Sequence, residues 1–252
     1  MDNKKHSDNY VKAVCTMISR GDIVSIDVLK SYLKYIDLNT PVKTSYLEMD
    51  MLLGVNNLSE LNPKYYGYSS EYNGNKLNYP IDLIIYSCIY NNSYYYHKRR
   101  LLEDILKLDD VDFGVIAKSL EYAISNGDLE LFRVFMKLNP NFNAVSGYLT
   151  TGEEYSVFDN CLSLALARLT IGSEETFNNY PKAILEELML VDDKNIDFKL
   201  MKSTRAIAKV LVDMGELEGM YLTLNNEGEN LFEDIRLVVE NYRNYIINKY
   251  KQ

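Results

Sequence analysis

Only two histidines occur in the 252 residues, His6 in a polar stretch and His97 at the head of a charged run. A histidine-based metal site or a Ser-His-Asp triad needs a histidine with cysteine or carboxylate neighbours at fixed spacing, and neither histidine has them. Cys15, Cys88 and Cys161 are odd in number, far apart and without a C-x-x-C pair. That excludes a disulfide framework or metal knuckle as the expectation and suits small buried thiols in a reducing compartment. Carboxylates pair at Asp109-Asp110, Glu153-Glu154, Glu174-Glu175, Glu186-Glu187 and Asp192-Asp193. Such pairs do acid–base work when their surroundings pull their pKa values apart. Most of these fall at helix ends and in loops, where solvated surface is the expected role. An enzyme reading places a carboxylate site in the 144–180 region, with Glu153, Glu154 or Asp159. A third reading is an acidic nucleic-acid mimic. No phosphate-cradling glycine loop is present, and no cofactor or metal is expected.

The local feature that stands out is aromatic. Ten of the 22 tyrosines lie between Tyr65 and Tyr96, and Tyr94-Tyr95-Tyr96 runs into His97-Lys98-Arg99-Arg100. Three consecutive tyrosines cannot all face one core. Tyrosine and arginine are enriched where binding energy concentrates. The candidate partner-binding residues are therefore Tyr65, Tyr66, Tyr68, Tyr72, Tyr94, Tyr95, Tyr96, Arg99, Arg100, Tyr148 and Tyr155. Against this stands the plainer reading that some tyrosines pack between helices and the basic run is a solvated helix start.

The elements that must position these residues are helices. Ser119 to Asn143 predicts two short helices. Leu120, Ala123 and Ile124 share one face, Asn126-Gly127 ends the first helix, and Asp128 caps the second. Leu129, Phe132, Phe135 and Met136 then form one apolar stripe, closed by Asn139-Pro140. This stretch resembles an ankyrin repeat. Leu120, Ala123, Gly127 and Leu129-Glu130 stand where the family has its inner-helix leucine, alanine, turn glycine and outer-helix start. Asn143 matches the asparagine that ends a repeat, while Lys118-Ser119 replaces the usual Thr-Pro. Tyr79-Pro80-Ile81-Asp82-Leu83-Ile84-Ile85 resembles the family's opening, with Pro80 suited to a first helical turn, and Asp110-Val111-Asp112 resembles its close.

The resemblance extends over most of Tyr79 to Leu224 and more faintly over Tyr10 to Leu38. In the first unit the helices are expected from about Tyr10 to Ser19, with Val11, Val14, Cys15 and Ile18 inward, and from about Ser25 to Ile36, with Val28, Leu29, Tyr32, Leu33 and Ile36 inward. Thr44 to Leu61 reads as another helix and Asn73-Gly74 as a hairpin turn. Leu101 to Leu108 is an outer helix after an insertion at Asn91 to Arg100. Ala144 to Asp159 is a long finger, Cys161 to Ala167 an inner helix, and Thr170 to Tyr180 a further insertion before an outer helix at Lys182 to Leu190. Lys202 to Glu218 gives a last copy whose Gly215 parallels Gly127. Asn226 to Gln252 reads as an amphipathic closing helix.

The fold expected is thus all-α, stacked helix-turn-helix repeats of ankyrin-like solenoid type with irregular insertions and hairpin fingers. Residues 1–252 make one domain: a diverged N-terminal cap over 1–61, core repeats over 62–224 and a capping helix over 225–252. A net charge of −9 argues against a nucleic-acid backbone as ligand and for a basic protein partner. Met1 to Asn9 lacks the apolar core of a secretory signal, and Ile81 to Tyr90 is too short to span a bilayer. A cytoplasmic, non-enzymatic protein-binding module follows as the expectation, acting as an inhibitor or immunity-type protein that blocks its partner.

Overall fold

The computed structural model describes residues 3–42, 79–90, 95–148, 151–171, 180–192, 195–215 and 231–250. The expected helix at Thr44 to Leu61 and the turn at Asn73-Gly74 lie outside them. The described chain is mostly helix, with one small antiparallel hairpin. It divides into two compact units, Met1–Tyr122 with Phe135–Asn141, and Ala123–Val134 with Phe142–Gln252.

The first unit begins with α1 (Asn3–Arg20) and α2 (Ile26–Leu33). Gly21, at φ +80°, ends α1, and Ser25 caps α2 by accepting the Val28 N–H. Val11, Val14, Cys15 and Ile18 are buried on α1 as their spacing requires. Of the adjacent pair Val28 and Leu29 only Leu29 is inside; Val28 is 44% exposed, because neighbouring helical residues point 100° apart. Then come α3 (Pro80–Ile89) and α4 (Tyr95–Ile105). Pro80 opens α3, and every residue from Pro80 to Cys88 is buried. A helix apolar on nearly all sides belongs in an interior, and α1 and α4 both pack on it. The helix α4 starts six residues before the expected Leu101, so part of the supposed insertion is its first turns.

The central pair is α5 (Lys118–Asn126) and α6 (Leu129–Met136), and the division between the units passes through it. Gly127 is left-handed at φ +67°, and Asp128 Oδ1 accepts the Leu131 N–H at 3.0 Å, as the cap reading expects. Phe132 and Phe135 are fully buried. Asn139, at φ +52°, precedes Pro140.

In the second unit, β1 (Val145–Tyr148) pairs antiparallel with β2 (Glu154–Ser156), with a register shift between Val145 and Gly147. A hairpin therefore lies within the stretch Ala144 to Asp159 expected as a finger, but Val157 to Asp159 belong to the helix that follows. The hairpin leads straight into α7 (Val157–Ile171), whose Asp159 N–H donates to Ser156 Oγ at 3.1 Å. Next are α8 (Tyr180–Leu188), α9 (Lys202–Met214) and α10 (Leu231–Tyr250). The helix α7 packs on α8 and α9, and α9 packs on α10. Leu231, Ile235, Val238, Val239 and Tyr242 line the buried stripe of α10, as its periodicity requires. Gly215 ends α9 at φ −83°, so it does not repeat the left-handed turn of Gly127.

Each unit is fastened by the same two polar braces. In the first, Asp82 on α3 accepts the Lys118 and Ser119 N–H groups at 2.7 and 3.0 Å. In the second, Asp159 on α7 accepts the Ser203 and Thr204 N–H groups at 2.7 Å each. Each aspartate so satisfies the open N–H groups at the start of a later helix. The second brace is an asparagine. Asn39 donates through Nδ2 to Asp110 O and accepts the Asp112 N–H, at 3.1 and 3.0 Å. Asn143 does the same to Asn195 O and the Asp197 N–H, at 2.7 and 2.8 Å. After each, an aspartate turns on itself: Asp112 caps the 3-10 turn Phe113–Val115, and Asp197 caps Phe198–Leu200.

Candidate partner-binding surface

The helix α4 has two faces. Leu101, Leu102 and Ile105 are buried. Tyr96, Arg99, Arg100 and Glu103 recur at helical spacing on the exposed side. Tyr96 is 77% exposed, and its ring meets the His97 ring edge-on at 5.9 Å. Arg99 Nε lies 3.8 Å from Glu103 Oε1, an exposed pair of the kind that adds little stability. Lys98 points the other way. It is buried, and its Nζ donates to Tyr90 O at the end of α3, 3.3 Å away. Burial pulls the Lys98 ammonium below its usual pKa, and the neighbouring Cys88 opposes this.

The other candidate residues are placed as follows. Tyr65, Tyr66, Tyr68, Tyr72 and Tyr94 lie outside the described residues, as do the side chains of Tyr95 and Tyr148. Tyr95 opens α4 and Tyr148 ends β1. Tyr155 is half-buried on β2, in the second unit. In the described residues, therefore, Tyr96, Arg99 and Arg100 share one helix face and Tyr155 belongs to another body.

Sequence reasoning passed over a second aromatic group in the first unit. Tyr86 and Tyr90 on α3 and Tyr122 on α5 stand with ring centroids 5.5 to 5.8 Å apart, two of the three contacts edge-on. That geometry suits the aromatic quadrupole. Lys118 Nζ lies 5.5 Å from the Tyr86 centroid, a cation–π contact. The i, i+4 spacing of Tyr86 and Tyr90 was the available signal; Tyr122 joins them only through packing.

The carboxylates of the enzyme reading each have their own surroundings. Asp159 is buried and engaged as a brace. Burial raises its pKa, while hydrogen bonds from Thr204 and Ser203 oppose the rise. Glu153 pairs with Lys202 at 3.5 Å, and Glu154 is exposed on β2. Among the described residues no cluster of histidine, cysteine and carboxylate side chains has the make-up of a metal site, and no helix is long and apolar enough to cross a membrane. No protein-family model, curated protein or solved structure matches the chain.

Proposed function

We propose that this chain is a non-enzymatic protein-binding module of stacked helix pairs, ankyrin-like in kind, that works as an inhibitor or immunity-type protein by covering its partner. The observation that carries the reading is the face of α4: a tyrosine 77% exposed, followed by two arginines on the same side, the residue types that concentrate binding energy. Pairing of α3 with α4 and α7 with α8, and packing of α1 on α3 and α7 on α9, supports stacked hairpins within each unit. Three buried cysteines, far apart in sequence and without a C-x-x-C pair, support a reducing compartment, the cytoplasm.

The test is affinity capture from the native host with the wild type and with Tyr96→Ala/Arg100→Ala, followed by mass spectrometry. A protein held by the wild type and lost from the double variant supports the reading. Equal capture by both removes α4 from the interface, and a wild type that holds nothing sinks the proposal.

A further inference from the structure

The chain as a whole and the face of α4 carry opposite charge. The sequence holds 27 lysines and arginines against 36 carboxylates, a balance that favours a basic partner. Yet α4 opens with His97, Lys98, Arg99 and Arg100 in succession and has no acidic residue in its first turn. In α2, α3, α5, α6, α7 and α10 the first turn does hold an aspartate or glutamate, which complements the positive end of the helix dipole. Cations at that end oppose the dipole, so helix stability does not account for the run.

Packing accounts for Lys98 alone, which is buried with its Nζ on Tyr90 O. His97, Arg99 and Arg100 are exposed, as is Tyr96. Tyr96, Arg99, Arg100 and Glu103 stand at i, i+3, i+4 and i+7, so the helix itself brings them to one face, with neighbouring Cβ atoms about 5–6 Å apart. Glu103 meets Arg99 only at 3.8 Å, with the two side chains 59% and 53% exposed, a contact too wet to cancel the charge. Two guanidinium groups against one carboxylate leave the face positive. A guanidinium grips a carboxylate bidentately and gives up its water readily, and the tyrosine beside it offers apolar area with a polar tip. Complementary potential decides which partners approach and which are repelled. A basic partner meets like charge at α4. An acidic one meets opposite charge there and is repelled by the excess of carboxylates elsewhere, which confines it to this face. A nucleic acid needs many phosphate contacts, and a face with two arginines on a chain of charge −9 is better matched to carboxylates of a protein.

We infer that the α4 face takes an acidic segment of a partner protein, with a carboxylate seated on Arg100 and an apolar side chain against Tyr96. This rests on the reading of α4 as the binding face and gives that partner its chemistry.

The experiment titrates fluorescein-labelled deca-glutamate with the full chain by fluorescence anisotropy, at low and at high sodium chloride, with labelled deca-thymidylate as a second probe. Deca-glutamate is expected to bind, and to bind about tenfold more weakly to Arg100→Glu and about threefold more weakly to Arg100→Gln, with affinity falling as salt rises. Lys209→Glu, an equal charge change at an exposed position of α9, leaves binding unchanged. Should Arg100→Glu not fold, Arg100→Gln decides. No binding of deca-glutamate, an equal loss in Lys209→Glu, or tighter binding of deca-thymidylate through the same arginine overturns the acidic protein partner. Sedimentation that shows wild-type dimers dissolved by Arg100→Glu gives the face to a second copy and overturns it as well. The capture test with Tyr96→Ala/Arg100→Ala is separate from these outcomes, because it asks whether α4 holds a partner whatever that partner's charge.

Discussion

Asp82 and Ser119 are joined both through the backbone and through their side chains: the Ser119 N–H reaches Asp82 Oδ1 at 3.0 Å, and the Ser119 hydroxyl reaches the same oxygen at 2.6 Å. The Ser119 hydroxyl also lies 3.1 Å from the Asp82 carbonyl, and Thr204 holds the same position against Asp159. Removing either carboxylate strands two N–H groups, one buried and one part-buried. Asp82→Ala and Asp159→Ala are each expected to lower stability by about 2–4 kcal/mol, read from urea unfolding. A change under 0.5 kcal/mol would show that the brace is ornamental.

Asp159 also has a pH signature. Burial raises its folded-state pKa above the ordinary 3.8, so the folded chain holds that proton more tightly than the unfolded one. Its contribution is complete at low pH and lost as pH rises from 3.8 through the folded value. Relative to Asp159→Asn, the wild type should lose stability over that interval; parallel pH–stability curves would contradict the assignment.

Asn39 and Asn143 each use both ends of an amide. Aspartate at either position keeps the acceptor but sets an anionic oxygen against a carbonyl, so Asn39→Asp and Asn143→Asp are expected to cost more than the corresponding alanine changes, themselves about 1–2 kcal/mol. Denaturant midpoints decide the order, and an aspartate as stable as asparagine would mean that Nδ2 contributes nothing.

The turn before Asn39 carries an acid probe. The Thr40 hydroxyl, and then the Asn39 N–H, hold the Asp37 carboxyl below its ordinary pKa, so what this turn adds to stability is present above the unfolded pKa and lost as pH falls through the folded one. Thr40→Ala should move the Asp37 titration upward in a carbon-13 carboxyl experiment. A midpoint that stays put would remove the hydroxyl as the cause.

The thiols should be silent while the chain is folded. Burial pushes Cys15 up to about 12, with Ser87 opposing, and pushes Cys88 up with help from Cys15. Thiolate is the reactive form, so an aromatic disulfide reagent at pH 8 should label Cys15 and Cys88 only as fast as the chain opens. Labelling that ignores added urea would show a route to solvent in the native fold.

The sequence was most readable where the cause is local. Gly127, Asp128, Pro80 and Pro140 act on their own backbone, and each does what its side chain dictates. Val28 was misplaced because periodicity alone does not choose between two adjacent apolar residues. The start of α4 was missed because Tyr95 to Arg100 has no apolar rhythm; packing of Leu101, Leu102 and Ile105 carries the helix backward through it. Gly215 followed the sequence of Gly127 but not its conformation, since α9 continues further past its brace than α5 does. The braces themselves were invisible, because Asp82 and Asn39 act on backbone 36 to 73 residues away. A trace was there: each aspartate is the third residue of its helix, after an apolar one.

The two asparagine braces close intervals of different length, 73 residues from Asn39 to Asp112 and 54 from Asn143 to Asp197. Loop closure grows only with the logarithm of length, so the longer interval costs about 0.3 kcal/mol more, well below what one brace supplies. Evolution could therefore lengthen or trim the chain between these fixed knots almost freely, and relatives, where they exist, should differ mostly in what hangs there.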